Sequence, residues 1–187
     1  MKNTDSGPKA TVFNRIILNR ETYQVNDSVS ILEKNEEIGF GKILKIWQHH
    51  KTSKSYITIS WYYTPSEVFS KIPDFISSAE LFDSENIQDI EVQCIIDKIF
   101  VYSLEEYHSR DEVEENVYFT RASFNYLKKT LDPGLSTWMK VCYCESIVNP
   151  DLIYNRCDGC SVYFHFECCE FSDNSNDHWL CKTCTSN

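Results

Sequence analysis

Seven cysteines and one histidine near the C-terminus form the most chemically specific pattern in the chain. Nine cysteines are present, eight of them between Cys142 and Cys184, with only Cys94 outside. In order, the candidate ligands are Cys142-x-Cys144, Cys157-x-x-Cys160, His165-x-x-Cys168 and Cys181-x-x-Cys184, separated by twelve, four and twelve residues. Pairs this close let two thiolates, or a thiolate and an imidazole, converge on one tetrahedral ion, and soft sulfur with a single imidazole selects zinc. Eight ligands make two closed sites, so two structural Zn2+ ions are expected, with no open position for water activation. No secretory signal is read at the N-terminus and the cysteine count is odd, which disfavours a disulfide framework. Cys169 competes with its neighbour Cys168 as a ligand, and the two-residue gap after His165 favours Cys168. His178 has only a weak claim. The competing reading of these cysteines is a reduced, metal-free core. Cys94, inside the apolar run Val92 to Ile96, reads as a small buried hydrophobe.

The second chemically able group is aromatic. In Tyr56-Ile57-Thr58-Ile59-Ser60-Trp61-Tyr62-Tyr63 the odd positions carry Ile, Ile, Trp and Tyr. Strand period two puts these four on one face, where they are either a core stripe or, at the Trp61 and Tyr63 end, ring faces that attract a cation.

Short β-type runs must position both groups. They are Val25 to Glu33, Phe40 to Trp47 behind Gly39 and Gly41, Tyr56 to Tyr63, Glu80 to Phe82, Val92 to Tyr102 and Val117 to Phe124. The two glycines suggest a bulge or turn, and Pro65 ends the aromatic strand. Strands at this spacing predict a small β-rich barrel. Ser103 to Asn116, with six carboxylates, reads as a solvated loop or short helix. Asp132-Pro133-Gly134 marks a domain boundary, and the roughly 45 residues beyond it are too few to bury an adequate core without metal staples. Residues 1–20 read as a flexible tail, 21–136 as a β domain and 137–187 as a zinc-bound module.

Net charge is −10. By region it is +2 over residues 1–19, −8 over 20–139 and −4 over 140–187. A negative field repels phosphates, so direct nucleic-acid binding is disfavoured and a basic peptide is the better partner. No apolar run approaches the ~18 residues of a membrane span. No nucleophile–base pair, phosphate loop or open metal site is found, so no enzymatic activity is expected.

The ligand order, four cysteines, one histidine and three cysteines, resembles the PHD finger; a RING finger would place histidine fourth. Tyr163 and Phe164 before His165, and Trp179 before the last pair, extend the likeness. The resemblance implies cross-brace pairing: Cys142, Cys144, His165 and Cys168 on one zinc, and Cys157, Cys160, Cys181 and Cys184 on the other. Upstream, Trp61-Tyr62-Tyr63-Thr64-Pro65-Ser66-Glu67, Ala79-Glu80-Leu81-Phe82, Cys94-Ile95-Ile96 and Tyr118-Phe119-Thr120-Arg121 resemble the BAH domain over about residues 22–131. The whole is similar to short plant chromatin regulators in which a BAH domain directly precedes a PHD finger.

What the resemblance implies is a mainly β protein, a BAH barrel followed by a two-zinc cross-brace finger, that reads histone H3 tails in the nucleus within a larger chromatin complex. Its BAH module would cage trimethyl-lysine, lysine 27 first, between Phe40, Trp61 and Tyr63, with Asn86 supporting the peptide. Its finger would engage the lysine 4 region, with Tyr154 and Tyr163 as walls, Val148 at a position that is often aromatic, and Asp151 or Asp158 attracting a basic group. Two other readings stay open: a ubiquitin ligase using the finger, and a scaffold of chromatin complexes that reads no mark.

Overall fold

Alternation of β-branched and polar residues builds a central sheet whose long middle strand has one partner along one edge and two, end to end, along the other. The computed structural model describes residues 10–110, 115–169 and 178–186. The strands of the first part are β1 (Ala10–Phe13), β2 (Arg15–Leu18), β3 (Glu21–Gln24), β4 (Ser28–Leu32), β5 (Ile38–His49), β6 (Ser55–Tyr62), β7 (Ile87–Glu91), β8 (Ile95–Ser103), β9 (Val117–Thr120), β10 (Ser123–Asn125) and β11 (Thr130–Asp132). Two short helices, α1 (Pro65–Val68) and α2 (Leu104–His108), interrupt them. The cysteine-rich part holds β12 (Lys140–Val141), β13 (Ser146–Ile147), β14 (Tyr154–Arg156), β15 (Tyr163–His165) and α3 (Lys182–Thr185).

The sheet runs β7-β6-β5-β4-β8-β9, with β1 joined to β5. Among the described strand pairs only β8–β9 is parallel. The first part of β5 pairs with β4 and its last part with β1, and the register shifts between Ile43 and Lys45. The extra residue, Leu44, is a bulge that bends the strand and curls the sheet. Gly39 and Gly41, expected to mark that irregularity, lie instead in the regular ladder. Their role is space: a Cβ on Gly41 would sit 2.6 Å from Ile59 Cδ1.

Three apolar clusters result. Ile57 and Ile59 of β6 join Val29, Ile31, Ile43 and Ile46 in the first. All six are at most 1 % exposed, and each isoleucine contributes about 1.5–3 kcal/mol by leaving water. The second groups Ile76, Phe82, Ala122, Phe124 and Trp138, with Tyr63 and Ile147 packed against it. The third groups Tyr62, Leu81 and Ile99, flanked by Phe40 and Tyr118.

The N-terminal tail is a correction. Residues 10–18 are not flexible: β1 pairs with β5, and β2 pairs with β3 through a two-residue turn at Asn19 and Arg20. Both turn residues have positive φ, 52° and 71°, the backbone whose twist suits a tight hairpin. Ile16 and Leu18 pack on the first cluster. Four-residue strands carry too few alternations to stand out in sequence. Residues 1–9 lie outside the described residues.

The two parts of the chain share their packing. Arg121 forms a two-point ion pair with the fully buried Glu80, at 2.7 and 3.0 Å. Its guanidinium also donates to the carbonyls of Phe75 and Val148 and lies 4.0 Å from the Trp138 ring centroid. Val148 belongs to the cysteine-rich part, so one side chain ties both halves together. Ser77 Oγ donates to Asp151 Oδ1 at 2.8 Å, and Asn149 Nδ2 to the Asp74 carbonyl at 2.6 Å.

Candidate functional site

Two groups of ligand-type side chains converge in the cysteine-rich part. One is Cys142, Cys144, His165 and Cys168; the other is Cys157, Cys160, Cys181 and Cys184, and within each group the ligand atoms lie within 4.8 Å of one another. Hairpin β14–β15 and its flanks feed both groups, which interleaves the pairs. Phe164, 3 % exposed, packs between the sulfurs of the second group and the Trp179 ring, whose centroid lies 5.3 Å away.

The spacing fits a tetrahedral ion. Metal–sulfur bonds of ~2.3 Å at tetrahedral angles place two sulfurs ~3.8 Å apart, and Cys160 Sγ lies 3.8 Å from Cys181 Sγ. His165 Nδ1 lies 3.4 Å from Cys144 Sγ and 3.9 Å from Cys168 Sγ. With Nδ1 facing the sulfurs, Nε2 is left to carry the proton, and Ser146 Oγ, 3.4 Å away, can accept it, an outer-shell contact that fixes ring orientation.

Thiol acidity points the same way. Burial raises Cys142 and Cys181, but hydrogen bonds, led by the Cys144 and Cys184 backbone respectively, outweigh it and bring both to about 6. Cys168 is pushed up to about 11, first by its hydrogen bond to Cys142, and Cys184 to about 12, first by its hydrogen bond to Cys181. Within each group neighbouring sulfurs oppose one another's ionisation, and a bound dication removes that penalty. Both groups can therefore hold a metal ion. Cys169 and His178 belong to neither.

The aromatic strand leads to a different kind of site. Trp61 pairs with Gly41 and Tyr62 with Phe40 across β5 and β6. Cross-strand partners share a face, so Trp61 looks along the Gly39–Gly41 side and Phe40 looks the other way. Phe40 packs on Tyr118, ring centroids 5.0 Å apart, in the third cluster. It is not a wall of the Trp61 site: strand alternation turns it to the opposite face, and the side chain facing Trp61 is the hydrogen of Gly39.

Tyr63, just beyond β6, bridges to Phe82 and turns its ring into the second cluster, 5.1 Å from Phe124. Asn86 links the pair. Its carbonyl accepts from Trp61 N at 2.9 Å, and its Nδ2 donates to Tyr63 Oη at 3.0 Å. The side chain expected to hold a peptide is thus already engaged with Tyr63.

Trp61 is half-buried and lines a groove of about 670 Å³ together with Ile31, Glu33, Lys34, Gln88 and Asp89. Its Nε1 donates to Gln88 Oε1 at 3.0 Å, which fixes the ring. The groove combines the anchored Trp61 ring, and Tyr56 farther along its lining, with carboxylates, so it can attract a cation.

A family profile for the BAH domain matches residues 21–133. The chain belongs to the BAH family. Over 168 residues it is 25 % identical to a protein of Arabidopsis thaliana named chromatin remodeling protein SHL, covering 86 % of this chain and 73 % of that one. Over 132 residues it is 30 % identical to chromatin remodeling protein EBS of the same plant, covering 67 % and 54 %. The yeast Rsc2 BAH domain superposes with a TM-score of 0.55 at 19 % identity, covering 64 % of this chain and 53 % of that one; this likeness concerns the fold.

Beyond the BAH module, the residues expected at a second tail site do not assemble. Val148 is 8 % exposed, and its carbonyl accepts from Arg121. Asp151 accepts from Ser77 of the BAH module. Both are occupied by the junction, because a segment this short must pack on its neighbour to stay folded. Asp158 accepts from Trp179 N at 2.7 Å and pairs with His178. Tyr154 Oη is engaged with the Asn149 backbone. Tyr163, 43 % exposed, remains open to a partner. The residues that sequence reasoning missed are Glu33 and Gln88, while Arg121 was named only as part of a motif and given no role; a Gln two positions after Asn86 and a carboxylate just past β4 carry no signal until the register is known.

Proposed function

We propose that this protein is a nuclear chromatin reader that binds basic histone-tail peptides and performs no catalysis. The groove beside Trp61 carries the proposal. It offers a fixed indole and carboxylates on a BAH scaffold, suited to a lysine ammonium. The net charge of −10 favours a basic partner, and the two relatives named as chromatin remodeling proteins support the setting. From the resemblance, the segment around lysine 27 of histone H3 is the target for the BAH module; the lysine 4 segment, implied for the cysteine-rich part, rests on Tyr163 alone among the residues expected there.

In this reading the cysteine-rich part is a PHD finger with two structural zinc ions. The ligand order, the interleaved groups and sulfur spacings support it. Zinc there supplies a staple for folding, and the finger's own residues, Val148, Asn149 and Asp151, lock it onto the BAH module. Membership of a larger chromatin complex is part of the same proposal.

Isothermal titration of the full chain with histone H3 peptides tests the reading. The lysine 27 peptide is expected to bind, and Trp61→Ala to weaken it about ten-fold or more while leaving the circular dichroism spectrum unchanged. Failure of any H3 peptide to bind would overturn it.

A further inference from the structure

The third side of the Trp61 site is a carboxylate where a ring was expected. A Cβ built on Gly39 would meet Trp61 Cζ3 and Glu33 Oε1, each at 2.6 Å. The indole and the carboxylate therefore flank the same point and lie no more than ~5 Å apart. The backbone explains why Glu33 arrives there. Ile31 pairs with Gly39, and the turn after β4 closes with Glu33 N donating to the Glu37 carbonyl at 2.9 Å. Without a side chain on Gly39, nothing separates the two groups.

We infer that Glu33 makes this groove selective for a lysine that retains N–H groups, unmodified or monomethylated, over a trimethylated one. The inference rests on the reader function proposed above and concerns the ligand of that same site. A quaternary ammonium has no hydrogen to donate, so its binding depends on surrounding ring faces. Here Trp61 is the ring beside Glu33: Phe40 faces Tyr118, Tyr63 is turned into the second cluster, and Tyr56, which also lines the groove, is stacked on Trp47. A lysine with N–H groups can instead donate to the carboxylate, a charge-assisted hydrogen bond stronger than a neutral one.

The other charges around the groove are engaged or offset. Asp89 Oδ1 accepts from Thr58 Oγ1 at 2.6 Å, and Glu91 is paired with Lys54 at 2.7 Å. Glu67 caps α1 by accepting from Thr64 N at 2.7 Å. Lys34 contributes a positive charge to the rim. Among the described residues no side-chain or backbone donor meets the Glu33 carboxylate. Burial, and then the nearby Glu67 and Glu37, push its acidity down, so its anionic form gains from an incoming cation.

The test uses the full chain and synthetic histone H3 peptides centred on lysine 27, unmodified and mono-, di- and trimethylated. Titration calorimetry is expected to rank the unmodified or monomethyl peptide about five-fold tighter than the trimethyl peptide, the effect of one additional charge-assisted hydrogen bond. Glu33→Gln, which keeps shape and removes charge at a solvent-facing position, is expected to erase that ranking while leaving the thermal midpoint unchanged. Tightest binding of the trimethyl peptide, or an unchanged ranking in Glu33→Gln, would overturn the inference while leaving the reader function standing. Absence of binding to all four peptides would overturn both together.

Discussion

Arg121 donates four hydrogen bonds, to both Glu80 oxygens and to two carbonyls, while its guanidinium lies over the Trp138 face. Removing it would leave a buried carboxylate without its cation. Arg121→Met should therefore lower unfolding free energy by about 3–5 kcal/mol, read by urea denaturation, and a loss below ~1 kcal/mol would contradict this role. Gly159 is sensitive for a different reason: a Cβ there would sit 2.9 Å from Cys184 Sγ. Gly159→Ala should displace that thiol and weaken metal binding by its group roughly ten-fold or more in a chelator competition. At this scale the cysteine groups were legible, because ligand spacing is local in sequence. The Trp61 site was only half legible. Its ring could be named from the motif, but its carboxylate comes from the turn after β4, and its neighbour Phe40 differs from Gly39 by the single residue that reverses a strand face.

Among the elements, β6 could be read directly from its isoleucine alternation, and its partner β5 in outline. What could not be read is how β5 divides itself between β4 and β1, since that depends on a bulge at Leu44 rather than at the glycines. The tight approach of Gly41 to Ile59 gives a test of the register. Gly41→Ala adds a methyl where Ile59 Cδ1 already lies 2.6 Å away, and should destabilise by about 1–3 kcal/mol through overpacking, seen as a lower thermal midpoint. A neutral result would mean that the two strands pair differently. The short strands β1 to β3 were invisible for a related reason: four residues hold two alternations, and a turn of Asn and Arg lacks the glycine that usually announces a hairpin.

For the molecule as a whole, the junction matters more than the boundary. Asp132-Pro133-Gly134 separates two chemistries, yet Trp138 and Ile147 belong to the cluster that also holds Phe82 and Phe124. Removing metal should therefore do two things at once. Treatment with a strong chelator is expected to raise amide hydrogen exchange through residues 140–168 and also at residues 75–80, which the junction holds, while β5 and β6 stay protected. Exchange confined to the cysteine-rich part would show that the halves are independent. The same junction fixes the Trp61 groove relative to the cysteine-rich part; under the proposed reader function, one tail addresses both parts if its length spans them.

The central claim, that a fixed indole beside a carboxylate captures a lysine of a histone tail, is tested most directly by nuclear magnetic resonance of the zinc-loaded full chain with an unmodified histone H3 peptide centred on lysine 27. The account predicts that the largest shift changes fall on the Trp61 indole N–H, Glu33, Gly39 and Gln88, with saturation as peptide is added. Shift changes that leave these four residues untouched and gather elsewhere would contradict it.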